Sequence, residues 1–180
     1  HLQAWLEERG RDPADARLVN RIDRDTSGIV LASLDLEAHQ ALSAALDAHV
    51  LRKEYRAICV GVPDPATGNW RDPIAEGSDE SIAMRIAADG KPSHTDYEVI
   101  ARAPGDRYAL LRVLLRTGRQ HQIRIHAAHN GHPLVGDWVY GTACAQLAGQ
   151  ALHAALLEFP HPADGRTIRV EAPLPAPLSA

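Results

Sequence analysis

The chain has 180 residues, 45% of them apolar, and a formal net charge of −4. That length and apolar content suit one compact domain over 1–180. No apolar run approaches the ~18–20 residues of a membrane span, the acidic amphipathic start does not read as a signal peptide, and the negative balance argues against a nonspecific nucleic-acid coat.

Residues 2–9 read as a short helix closed by Gly10, with Pro13 just beyond. Residues 18–22 read as a strand entering a polar turn, and 29–32 as a short buried strand leaving it. Asp35 caps a helix whose apolar stripe is Leu36, Leu42, Ala45, Leu46 and Val50. Residues 53–60 alternate as a strand, with Tyr55, Ala57 and Cys59 on one face. Residues 61–73 are rich in Pro, Gly and Asp and read as a loop. Two strands are expected over 93–102 and 108–115, joined by Ala103-Pro104-Gly105-Asp106. Residues 122–130 read as a helix ended by Gly131, and 151–159 and 167–171 as closing strands. Hairpins with few helices predict an α+β fold, a mixed and largely antiparallel sheet with flanking helices. Cys59 and Cys144 have neither metal nor redox spacing, which fits a reducing, cytoplasmic setting.

Charge is unevenly placed. Of nineteen basic residues seventeen are Arg, a planar fork suited to phosphate and to stacking on bases. Arg102, Arg107, Arg112, Arg116, Arg119 and Arg124 stand against a single acid in their segment, Asp106, while acids gather between 64 and 98. One face is therefore expected to be basic although the whole chain is acidic.

The candidate chemistry centres on Asn20-Arg21-Ile22-Asp23-Arg24-Asp25-Thr26-Ser27-Gly28. A lone Asp in a turn usually serves the turn itself. Here Asp25, Thr26 and Ser27 already supply turn chemistry, so the turn does not obviously need Asp23. Arg124 lies between Ile123 and Ile125, and a buried Arg needs a partner. A carboxylate that can bind both prongs of the fork is the natural one. An arginine placed beside a carboxylate favours its ionised form. Tyr55, flanked by Lys53 and Arg56, reads either as a core tyrosine or as the wall of a base pocket, where stacking is worth ~1–3 kcal/mol per base. Gly118-Arg119 precedes a helix start and could present amides to phosphate, with His121 beside it. His121, His126, His129 and His132 fall within twelve residues, but Gly131 and the helix limits keep four ligands from converging easily. No metal site is assigned, although a histidine-rich metal hydrolase is the reading such a cluster would favour.

These segments resemble the RluA-type pseudouridine synthases, which isomerise uridines in rRNA or tRNA. The family pattern H-R-L-D-x-x-T-S-G is similar to residues 20–28, K-x-Y to Lys53-Glu54-Tyr55, and T-G-R-x-H-Q-I-R-x-H to residues 117–126. G-H-P-I-x-G-D-x-x-Y-G resembles residues 131–141, L-H-A resembles Leu152-His153-Ala154, and the closing A-P-L-P resembles Ala172-Pro173-Leu174-Pro175. The resemblance implies the pseudouridine synthase catalytic fold, with Asp23 as nucleophile, Tyr55 against the target base and Arg124 paired with Asp23. It implies that Arg21 enters the RNA stack and that Leu152 walls the uracil. Arg119 and His121 are expected on the RNA. The reaction is an isomerisation, so no cofactor or metal is expected; neither is a protein partner.

The chain departs from the family at Asn20, where the family has His. The strand with a K-P-x-G turn that family members carry before the first helix is expected to be missing, as is an N-terminal S4-type RNA-binding domain. A catalytically impaired RNA-binding relic of the same fold is the alternative these departures suggest.

Overall fold

In chain order the elements are helix α1 (Leu2–Glu7), a 3₁₀ turn at Pro13–Asp15, strands β1 (Arg17–Leu18), β2 (Ser27–Gly28) and β3 (Ala32–Ser33), and helix α2 (Leu36–Asp47). Strands β4 (Arg52–Val60), β5 (Thr67–Trp70), β6 (Ile74–Ala75), β7 (Arg85–Ile86), β8 (Thr95–Arg102) and β9 (Tyr108–Leu115) follow. Helix α3 (Gln122–His129), strands β10 (Leu152–Pro160) and β11 (Thr167–Glu171), and helix α4 (Ala176–Ser179) complete the chain. This is a computed structural model, and it describes residues 2–77 and 82–179. Asp79 and Glu80 of the acidic stretch lie outside the described residues.

The main sheet runs β11-β10-β4-β9-β8-β5, all antiparallel, and β2 adds to β10 in parallel. The fold is α+β with a mixed, largely antiparallel sheet. Period-two alternation explains the central strand. Tyr55, Ala57 and Cys59 of β4 are buried on one face and join Leu111, Val113, Ile123, Ala127 and Leu134 in the core. Each fully buried aliphatic such as Leu111 contributes roughly 1.5–3 kcal/mol relative to exposure. Trp70 of β5 stacks on Tyr97 of β8, ring centroids 4.4 Å apart, which anchors the far edge of the sheet.

The structure departs from the expected elements in four places. Of the 18–22 stretch only Leu18 is strand, in β1, and of 29–32 only Ala32 is, in β3, with β2 lying just before it. These short pieces pair with distant partners, which local patterning does not encode. The 61–73 loop contains β5, because Asn69 and Trp70 pair with Asp96 and Thr95. In the expected stripe of α2, Leu42 is buried, but Leu36 and Val50 are exposed. Leu36 is the first helical residue after the Asp35 cap, and Val50 lies past the helix end, beyond His49 at φ 57°. Finally, part of the arginine-rich segment meets acids within the sheet rather than standing unpaired. Arg112 of β9 and Arg116 just past its end pair with Glu98 and Asp96 of β8, and Arg102 meets Asp106. Opposite charges facing each other across a ladder neutralise one another locally.

One connection positions the site. Residues 26–29 are stitched onto β10 and the residues leading into it: Ser27 Oγ lies 2.8 Å from His153 Nδ1, Ile29 N donates to the Ala154 carbonyl at 3.0 Å, and Gln150 Nε2 donates to Thr26 Oγ1 at 2.9 Å. Gly28 sits at φ 110°, and a Cβ there would overlap the Ala154 backbone. Only glycine permits this approach. Ala154 is also the partner of Tyr55, so β2, β10 and β4 line up Gly28, Ala154 and Tyr55 across the sheet. With strands ~4.8 Å apart, Gly28, at the end of the loop that carries Asp23, is held about two strand widths from Tyr55.

Candidate active site

The turn itself is closed locally. Thr26 N donates to the Asp23 carbonyl at 3.0 Å. Asn20 Oδ1 accepts from Leu31 N at 2.6 Å, while Val19 N donates to the Leu31 carbonyl at 2.9 Å. Asn20 thus ties the two arms of the loop together, in the position where the resembling family has His. The Asp23 side chain projects from this loop into an open cleft of about 1060 Å³. All seven residues singled out from sequence line that cleft: Asp23, Tyr55, Arg124, Arg21, Arg119, His121 and Leu152.

Arg124 comes from the first turn of α3 and is 4% exposed. Its Nη1 donates to Asp23 Oδ2 at 3.3 Å. The two-pronged partner expected for it from sequence is a different acid. Arg124 Nε and Nη2 donate to Asp137 Oδ2 and Oδ1 at 2.7 and 2.9 Å. Asp137 is fully buried, and its Oδ1 also accepts the amides of Val139 and Tyr140 at 3.0 and 3.1 Å. One buried guanidinium therefore serves two carboxylates. The inner one binds two prongs of the fork and fixes its plane, and the outer one, Asp23, accepts from the third nitrogen, Nη1. Among the described residues that bond is the only one the Asp23 carboxylate makes, so most of its acceptor capacity faces the cleft.

The electrostatics follow from this sharing. Burial pushes the Asp137 carboxyl up, but the hydrogen bonds and charge of Arg124 and the two amides outweigh it, and the group is held below the usual carboxylate range. Burial also opposes the Arg124 charge; Asp137 first, and then Asp23, overcome it. The Arg124 guanidinium carbon lies 5.2 Å from the centroid of the Tyr140 ring, a cation–π contact on its remaining face. The Tyr140 hydroxyl accepts Met84 N at 2.6 Å and lies 2.9 Å from His121 Nδ1. His121 is pushed below the usual imidazole value, chiefly by burial and secondarily by Arg124 and Arg21 against the pull of Asp23 and Asp137. Its ring is neutral at neutral pH. Tyr55 is pushed up to about 12 by burial and then by the Asp23 charge, so it remains a neutral phenol.

The other sequence-selected residues sit as follows. Leu152 opens β10 and presents a buried apolar wall. Arg21 is exposed on the loop that carries Asp23. The Arg119 amide is not free for phosphate: Gln122 Oε1 accepts it at 2.9 Å, and Arg119 Nε donates to the Pro92 carbonyl at 3.2 Å. The histidines disperse rather than converge. His126 bonds Thr95 Oγ1 and the Asp72 carbonyl, His129 lies 3.8 Å from Asp72, and His132 bonds the Val60 carbonyl. Among the described residues no group of three His, Cys, Asp or Glu side chains could hold a metal ion. No helix there is long and apolar enough to cross a membrane.

Sequence reasoning passed over Asp137 and Tyr140. The signal was present: an Asp next to Gly136, three residues before a tyrosine, with a buried arginine upstream that lacked a close counter-charge.

Comparison with known proteins gives the family. The family described as RNA pseudouridylate synthase matches residues 3–129. An uncharacterized RNA pseudouridine synthase of Chloroflexus aurantiacus is 42% identical over 163 residues, covering 89% of this chain and 51% of that protein. Ribosomal large subunit pseudouridine synthase D of Haemophilus ducreyi is 36% identical over 175 residues, covering 89% of this chain and 53% of that protein. The chain thus spans about half the length of these curated relatives. The solved structure of human RNA pseudouridylate synthase domain containing 1 superposes with a TM-score of 0.80 at 28% identity, over 97% of this chain and 74% of that one. The chain belongs to the RNA pseudouridylate synthase family.

Proposed function

We propose that this chain converts uridine to pseudouridine within RNA, with Asp23 as the nucleophile acting on a nucleotide flipped out of its stack. The observation that carries the reading is the sharing of Arg124: a buried guanidinium saturated by Asp137 on one side and holding Asp23 at the cleft floor by a single N–H at 3.3 Å. In this arrangement Asp23 is aimed by Arg124 and still open to a ligand.

The reaction breaks the C1′–N1 bond, turns the uracil and joins C1′ to C5; the C5 proton leaves to solvent and N1 ends protonated. Extruding the nucleotide costs a few kcal/mol. Arg21, exposed on the Asp23 loop, offsets part of this by entering the vacated stack. Asp23 then attacks the nucleoside or takes a sugar proton to give a glycal, and both routes need an ionised acid shielded from water. Tyr55 and Leu152 hold the detached uracil between an aromatic face and an apolar wall. A neutral Tyr55 can donate a hydrogen bond or pass a proton without competing with Asp23 for charge. The relatives named for the ribosomal large subunit support rRNA over tRNA as the substrate.

The test is tritium release from RNA labelled at uridine C5. Wild-type protein should release tritium, and Asp23→Asn should abolish release while RNA affinity stays within about twofold. Turnover by the Asp23→Asn variant would reject the nucleophile. RNA binding by the wild type without release on rRNA or tRNA would instead favour the relic.

A further inference from the structure

Every other cation on the central strands finds a carboxylate. On β4, Arg52 and Arg56 both pair with Glu54, and Arg52 also reaches Glu158. Arg112 of β9 and Arg116 just after it pair with β8; on β11, Arg169 pairs with Glu158 and Glu171. Lys53 is the exception. Among the described residues its ammonium makes no hydrogen bond or ion pair, and burial lowers its pKa with no neighbouring charge acting against that. The reason is alternation: residues 52, 54 and 56 point to the opposite face, whereas Lys53 shares a face with Tyr55 and lines the cleft. Its cross-strand partners are Leu115 and Leu157, which offer no counter-charge. A half-buried cation with no internal partner is costly unless a ligand supplies the anion.

A second feature concerns the space around it. A Cβ added at Gly118 would stand 3.0 Å from Lys53 Nζ. Gly118 does not have a positive φ, so its backbone does not require glycine. The missing side chain leaves room at the ammonium. Gly118 is exposed and lines the cleft, so this opening faces solvent.

We infer that Lys53 is a substrate-positioning residue that binds a backbone phosphate of the RNA strand entering the cleft, through the gap left by Gly118. This rests on the reading of the cleft as an RNA site. It assigns Lys53 to the strand, apart from the Asp23–Arg124–Asp137 cluster that acts on the nucleoside. As a compact point charge, an ammonium suits a single phosphate oxygen in a narrow gap better than a guanidinium would.

The experiment measures binding of a fluorescein-labelled single-stranded oligouridylate, and of the same oligomer with an uncharged methylphosphonate backbone, across salt concentrations. Lys53→Met keeps the stem and removes the charge. It should weaken oligouridylate binding about tenfold, as expected for loss of a charged hydrogen bond. It should also lower the slope of log affinity against log salt by about 0.7, the value for one phosphate contact on a single strand. Gly118→Ala, which leaves the charge in place but crowds the ammonium, should give a smaller loss in the same direction. On the uncharged oligomer, wild type and Lys53→Met should bind alike. An unchanged salt slope, or a Lys53→Met defect that persists on the uncharged backbone, would overturn the assignment; the latter would place the ammonium on a base carbonyl. If the wild type binds neither oligomer nor any structured RNA, the RNA reading of the cleft fails first and this inference fails with it.

Discussion

Asp137→Asn tests whether the inner carboxylate sets the reactivity of the outer one. The substitution preserves shape. Its remaining oxygen can keep the place of Oδ1, accepting from Arg124 Nη2 and from the amides of Val139 and Tyr140. The new amide nitrogen then occupies the place of Oδ2 and faces Arg124 Nε, a donor against a donor where a 2.7 Å bond stood. Loss of one charge-assisted bond costs roughly 1.5–3 kcal/mol. Removing one partner from a buried pair typically costs about 3–5 kcal/mol in total, because the other charge stays buried. Asp23 supplies a partial counter-charge to Arg124, which favours the lower part of that range. Against a typical total stability of about 5–15 kcal/mol the loss is large but compatible with folding. Arg124 should then turn its fork toward Asp23 and occupy oxygens that otherwise face the cleft. The expected result is a stability loss of about 3 kcal/mol by urea denaturation, a kcat for tritium release down at least tenfold, and RNA affinity nearly unchanged. Wild-type kcat together with wild-type stability would refute the argument that Asp137 holds Arg124 in place.

Two further predictions concern the scaffold. Gly28→Ala forces a Cβ against the Ala154 backbone at φ 110°; the backbone strain alone is worth about 1–3 kcal/mol. Activity and melting temperature should fall together as the Asp23 loop lifts from β10, and unchanged turnover would show that the β2–β10 pairing does not position the acid. Burial holds His121 and His126 below the usual imidazole value of 6.5. The unfolded chain then binds more protons than the folded one as pH drops through the ordinary imidazole range, so stability should be full above that range and fall below it. Denaturant midpoints measured from about pH 7 to about pH 5 should decrease; a flat profile would contradict two neutral buried rings.

What the chain encodes locally was legible before any coordinates. Period-two burial marks β4, and Asp35 caps α2 through a 2.7 Å bond to the Ala38 amide. The glycine stop after α3 and the polar turn around Asp23 are also local, because each depends on residues within one or two turns of the backbone. The order of motifs that matched the family belongs to the same level. Partner choice does not. Arg124 is 101 residues from Asp23 and 13 from Asp137, and only the path of the chain decides that the nearer acid takes the fork. The same holds for Arg112 and Arg116, which find Glu98 and Asp96 only once β8 lies alongside, and for β2 and β5, strands too short to announce themselves without their neighbours. It holds for Lys53 too, whose isolation depends on which face of β4 meets the cleft. Backbone periodicity is a short-range property and can be read along the chain; the pairing of charges is set by distance in space and by exclusion of water, and both exist only after folding.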